Sequence, residues 1–102
     1  MKSPGRIGEV TLDGVRTRLE SLGYAVSFHV YAPGTRFAAY HVSLDRADAV
    51  LSGRLGLQVD GGFSELGPGD WLEISRGCLL AVEVVGDQPV LALDGVRLGE
   101  AR

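Results

Sequence analysis

The chain has 102 residues, with 10 Lys and Arg against 13 Asp and Glu and a net charge of -3, which is the size of one small domain. At 45% hydrophobic residues it is too apolar to be disordered, and its mixed charges leave no basic stripe, which excludes a nucleic-acid surface. No apolar run approaches the ~20 residues of a membrane helix, and Met1-Lys2-Ser3-Pro4-Gly5 has no apolar stretch behind its charge, so neither a membrane span nor a signal peptide is expected.

Residues 1–10 read as an arm with a short strand, Arg6 to Val10, free to fray or to pair with another strand or a second subunit. The spacing of Leu12, Val15, Leu19 and Leu22 predicts a helix over 11–22, with Thr11 as its N-cap, Asp13 in its first turn and Gly23 as its stop. From Tyr24 to Leu98 only strands are expected: Tyr24–Tyr31, Phe37–Val42, Ala47–Ser52, Arg54–Val59, Phe63–Leu66, Trp71–Ile74, Cys78–Val85 and Val90–Leu98. Fifteen glycines, spread along the chain, supply the corners. Asp60-Gly61 marks a tight hairpin, because primed turns need positive φ, and Leu66-Gly67-Pro68-Gly69-Asp70 marks the next turn. Short strands at this spacing predict an all-β closed or double-sheet barrel with one short N-terminal helix, a single domain with its barrel over 24–98. The one cysteine, Cys78, cannot form an internal disulfide and fits a reducing, cytoplasmic setting.

Two stretches, in order, resemble the motifs of the cupin superfamily. Pro33-Gly34-Thr35-Arg36-Phe37 resembles the opening of the first motif, whose ends fall without a gap on Gly34 and Gly53. Val50-Leu51-Ser52-Gly53 resembles that motif's close, and the stretch from Gly69-Asp70-Trp71 to Arg76-Gly77 resembles the second motif. The resemblance covers about residues 30 to 95 and implies the jelly-roll barrel of small, RmlC-like cupins, often dimeric. It also implies where a metal would sit in cupins that carry one, held by His-x-His and Glu of the first motif and His of the second. Those positions here are Tyr40, Val42, Arg46 and Leu80. Valine and leucine have no donor atoms, and arginine repels a cation, so neither a metal nor another cofactor is expected.

What stands there instead is a phenol and a guanidinium among apolar neighbours. The candidate pocket comprises Tyr40, Val42, Arg46, Leu72 and Leu80, with Val50 and Ile74 beside them. A buried guanidinium needs acceptors, from Asp48, Asp45 or a carboxylate-bearing ligand; otherwise Arg46 swings outward and the pocket is filled. Strand alternation turns His41 to the outer face if Tyr40 and Val42 face inward. His29 reads as a sheet-face histidine and Cys78 as an inert, partly buried thiol, though either, with His41, would be needed to rebuild a metal site. Trp71 falls opposite Leu72 and Ile74, on a face that another chain, the arm or the helix has to cover.

The function expected is a metal-free cupin-type binding or structural module, with a small organic acid as its ligand and a second copy of itself as its partner. The competing expectation is a cupin-type enzyme, either a metal-independent isomerase or epimerase or a metal-dependent oxygenase with a rearranged site. No catalytic residue is named, because the alternation that turns His41 outward removes the inward base such an enzyme needs. The second copy is expected to cover Trp71 or the arm, or to use an open edge at Val90-Leu91-Ala92-Leu93.

Overall fold

The computed structural model describes residues 5–6 and 10–98. Thr11 caps helix α1 (Leu12–Ser21), its hydroxyl accepting from the Gly14 amide at 3.0 Å, and Gly23 follows the helix with φ +93°. Of the expected apolar stripe, Val15 and Leu19 are fully buried and Leu12 is exposed, because only the middle of so short a helix reaches the sheet beneath it.

Nine strands form two antiparallel sheets. They are β1 (Gly5–Arg6), β2 (Ala25–Tyr31), β3 (Arg36–His41), β4 (Arg46–Ser52), β5 (Leu55–Val59), β6 (Gly62–Leu66), β7 (Asp70–Ile74), β8 (Leu79–Val84) and β9 (Val90–Val96). One sheet runs β1-β7-β4-β9-β2 and the other β3-β8-β5-β6. The all-β architecture with a single helix is the one the turn spacing predicts, and the eight strands after the helix lie within two residues of their expected bounds. Asp60 (φ +49°) and Gly61 (φ +89°) make the tight turn between β5 and β6. Gly69, at φ +90°, completes the turn into β7, where the Asp70 carboxylate accepts from the Gly67 amide at 2.9 Å. Of the expected strand Arg6 to Val10, Gly5 and Arg6 pair with Trp71 and Asp70; residues 7–9 lie outside the described residues.

The inner faces of the two sheets enclose the main core, which holds Val42, Val50, Leu57, Leu72, Ile74 and Leu80. A second core lies between α1 and the outer face of the five-stranded sheet, where Val15 and Leu19 meet Tyr24, Ala47, Ala49 and Leu93. Burial on both faces makes β4 almost continuously buried: Ala47 and Ala49 turn toward the helix, while Arg46, Asp48 and Val50 turn inward. Trp71 is half-buried against this second core.

One expectation about edges is corrected. β9 is an interior strand, paired with β4 on one side and with the whole of β2 on the other, from Ala25↔Val96 to Tyr31↔Val90. The free edge beside it belongs to β2, because the chain's first long strand lies down outside its last.

Candidate functional site

Alternation on β4 places Arg46 and Asp48 on the same inner face. The register sets Asp48 directly opposite Asp94 of β9, and Asp94 opposite Ser27 of β2. His29 and Tyr31 follow Ser27 on that face at every second residue, and β3 brings Phe37 and Tyr40 over from the other sheet. Between them is a cavity of about 260 Å³, with the rings of Tyr31, Phe37 and Tyr40, the polar heads of Arg46, Asp48 and Asp94, and Leu55 and Val82 on its wall.

The polar heads form one network. Arg46 donates from Nη2 to Asp48 Oδ1 at 2.6 Å and from Nη1 to the Tyr40 hydroxyl at 2.7 Å; its Nη2 is 3.6 Å from Asp94 Oδ2. Its Nε is buried and has no partner among the described residues. The Tyr31 hydroxyl donates to Asp94 Oδ2 at 3.1 Å. His29 Nε2 lies 3.5 Å from the same oxygen and 2.9 Å from Ser27 Oγ. The His29 ring stacks on Tyr31 with centroids 5.8 Å apart, and Phe37 meets Tyr31 edge-on at 5.7 Å.

Two carboxylates therefore face one guanidinium with little water between them. Burial pushes the Asp48 carboxyl up to about 7; the Arg46 charge pulls it down, and the charge and hydrogen bond of Asp94 push it up again. Asp48 is therefore the carboxylate whose charged form the cavity disfavours. Burial opposes the charge on Arg46, but Asp48 outweighs it and keeps the guanidinium more firmly protonated than usual. The Tyr31 phenol is pushed above its ordinary range by burial and then by the Asp94 charge.

Of the sequence-predicted pocket, Tyr40 and Arg46 stand on the cavity wall. Val42, Leu72 and Leu80 are buried in the main core instead, packed against other apolar side chains at inward positions. Asp48 is the acceptor Arg46 requires; Asp45 is engaged elsewhere, accepting from the Arg76 amide at 2.8 Å. His41 is exposed, its Nδ1 3.2 Å from the Gly77 carbonyl oxygen. The Cys78 thiol is pushed up by its hydrogen bond to Asp60, which suppresses its reactivity. Among the described residues no group of three or more His, Cys, Asp and Glu is placed to hold a metal ion.

Sequence reasoning missed Tyr31, Phe37 and Asp94, and did not connect His29 with Asp94. Two signals were available: the alternation Ser27-x-His29-x-Tyr31, and Asp94 as a lone carboxylate in an otherwise apolar strand. A larger groove of about 550 Å³ lies over the other sheet, beside Arg36, Gly56, Phe63 and Glu83. Its Arg36 and Glu83 pair with each other at 3.5 Å, and it lacks the convergence of buried ionisable groups found at Asp48.

No family model matches this chain, and no curated protein matches it. Solved structures do. A cupin protein from Bacteroides fragilis is 25% identical, with a TM-score of 0.64 over 78% of this chain and 70% of that one. A predicted oxalate decarboxylase from Thermotoga maritima is 14% identical, with a TM-score of 0.67 over 81% of this chain and 74% of that one. A salicylate 1,2-dioxygenase from Pseudaminobacter salicylatoxidans is 19% identical, with a TM-score of 0.69 over 74% of this chain and 22% of the enzyme. Two antiparallel sheets in a closed β fold, matched along most of the chain by these proteins, make this a domain with the cupin fold.

Proposed function

We propose that the chain is a cupin-fold binding module whose barrel pocket takes a small organic molecule on protein side chains alone. The observation that carries this reading is Arg46, which stands where the first-motif resemblance would set the carboxylate ligand and lies 2.6 Å from Asp48 in a cavity of about 260 Å³. A fixed guanidinium repels a metal ion, and Val42 and Leu80, at two further ligand positions, have no donor atoms, so the residues do not fit a cupin metal. The cavity retains room and convergent polar groups, as a ligand site needs. An organic acid would have to draw Arg46 from Asp48 or Tyr40. A second copy of the chain is part of this reading, with the free edge of β2 as its place.

A second reading is a metal-independent isomerase or epimerase. The observation that favours it is His29 beside Asp94 and Tyr31, which sets an imidazole and a phenol on one carboxylate of the cavity wall.

Elemental analysis of protein purified without chelator, followed by a thermal-shift screen of small acids, amines and sugars, tests the proposal. The expected result is no stoichiometric transition metal and a saturable shift with one ligand class. About one equivalent of Fe, Mn, Ni, Cu or Zn, lost on His41→Gln or His29→Gln, would overturn it.

A further inference from the structure

The charges around Asp94 say which ligand the cavity prefers; the argument rests on the binding reading above. Asp48 is almost completely buried and bound to Arg46 at 2.6 Å, so that pair is satisfied. Asp94 is the looser carboxylate: 17% of its side chain is exposed, and Arg46 is 3.6 Å away. The groups facing it are Ser27, His29 and Tyr31 from β2, Arg46 and Asp48 from β4, and Tyr40 from β3 across the cavity. One fixed cation and two carboxylates leave one negative charge, balanced in the cavity by the proton that burial favours on Asp48. An anion entering here meets Asp94 at close range and finds Arg46 Nη1 and Nη2 already engaged, with only the buried Nε unpartnered among the described residues.

A cation can take the proton's place. The rings of Tyr31, Phe37 and Tyr40 line the same cavity, and aromatic faces attract organic cations. Carboxylate, rings and a cavity of about 260 Å³ suit an ammonium group with a few carbons attached. We infer that the pocket binds a small alkylammonium compound, seated on Asp94 among Tyr31, Phe37 and Tyr40.

Titration with trimethylammonium chloride, against sodium acetate at matched ionic strength, is the test. Trimethylammonium saturates and acetate does not. Its association constant rises about tenfold per pH unit below pH ~7 and levels off above, as one displaced proton requires. Asp94→Asn abolishes binding; Phe37→Leu weakens binding severalfold and keeps the pH dependence. If Asp94→Asn does not fold, the wild-type pH profile and Phe37→Leu decide the matter. Absence of trimethylammonium saturation, a pH-independent association constant, or unchanged binding in Asp94→Asn would each overturn the inference. Acetate saturating in its place would overturn the cation while leaving the binding module standing; a resident metal would remove the module itself.

Discussion

Arg46, Asp48 and Asp94 lie on neighbouring strands of one sheet, and burial makes the state of each depend on the other two. Asp48 keeps a proton in the folded chain up to about pH 7, whereas an exposed carboxyl in the unfolded chain releases it near 3.8. Between those values the folded state binds more protons than the unfolded one, so stability falls as pH rises. The contribution is fully present below about pH 4 and gone above about pH 7. Asp60, held low chiefly by the Leu79 amide, acts below that window and with the opposite sign. Melting temperatures measured from pH 4 to pH 7 are expected to decline in the wild type and to decline less steeply in Asp94→Asn, where burial still raises Asp48 but the charge and hydrogen bond of Asp94 no longer do. An equal decline in both proteins would show that Asp94 does not raise Asp48.

Among the elements, the corner between β4 and β5 is the most constrained. Gly53 has φ +85°, and a Cβ there would run into the Pro89 carbonyl oxygen and come within 3.0 Å of the Val90 backbone. The positive φ alone costs on the order of 1 kcal/mol for alanine, and moving the β8–β9 connection adds to it. Gly53→Ala is expected to lose about 2 kcal/mol or more, a drop in Tm of at least ~8 °C for a chain of this size. Tyr40→Phe gives up one hydrogen bond at a partly exposed site, worth about 1 kcal/mol, and is expected to melt several degrees higher than Gly53→Ala. Comparable losses by differential scanning calorimetry would contradict this account of the corner.

On the scale of the whole molecule, β2 is the longest of the edge strands. It is seven residues long and, among the described residues, has β9 on one side only. Its sequence Ala-Val-Ser-Phe-His-Val-Tyr has no Lys, Arg, Asp, Glu or Pro to discourage pairing. Phe28 and Val30 are 45% and 59% exposed on its outer face. Antiparallel two-fold pairing centred on Phe28 sets Val26 opposite Val30 of the second copy and opposes no like charges. Trp71, already half-buried within the chain, is not required for it. Light scattering at micromolar concentration is expected to give about twice the 10.8 kDa of one chain, and Val30→Glu to return the monomer. A monomeric wild type would end the dimer; a dimer indifferent to Val30→Glu would place its interface elsewhere.

The sequence by itself determined what local chemistry decides. The limits of α1 follow from Thr11 and Gly23, the β5–β6 turn from Asp60-Gly61, and the strand bounds from glycine corners, because caps and positive φ are properties of a few adjacent residues. Motif spacing also led to Tyr40 and Arg46, which do stand on the cavity wall. Only the tertiary structure decided that Asp94 lies opposite Asp48, that Tyr31 and His29 close on the same carboxylate, and that β2 rather than β9 is the free edge. Those facts depend on the register between strands far apart in the chain, and each strand's own pattern is compatible with more than one partner. The raised carboxyl of Asp48 comes first from its burial between the sheets and then from Asp94, which that register sets opposite it.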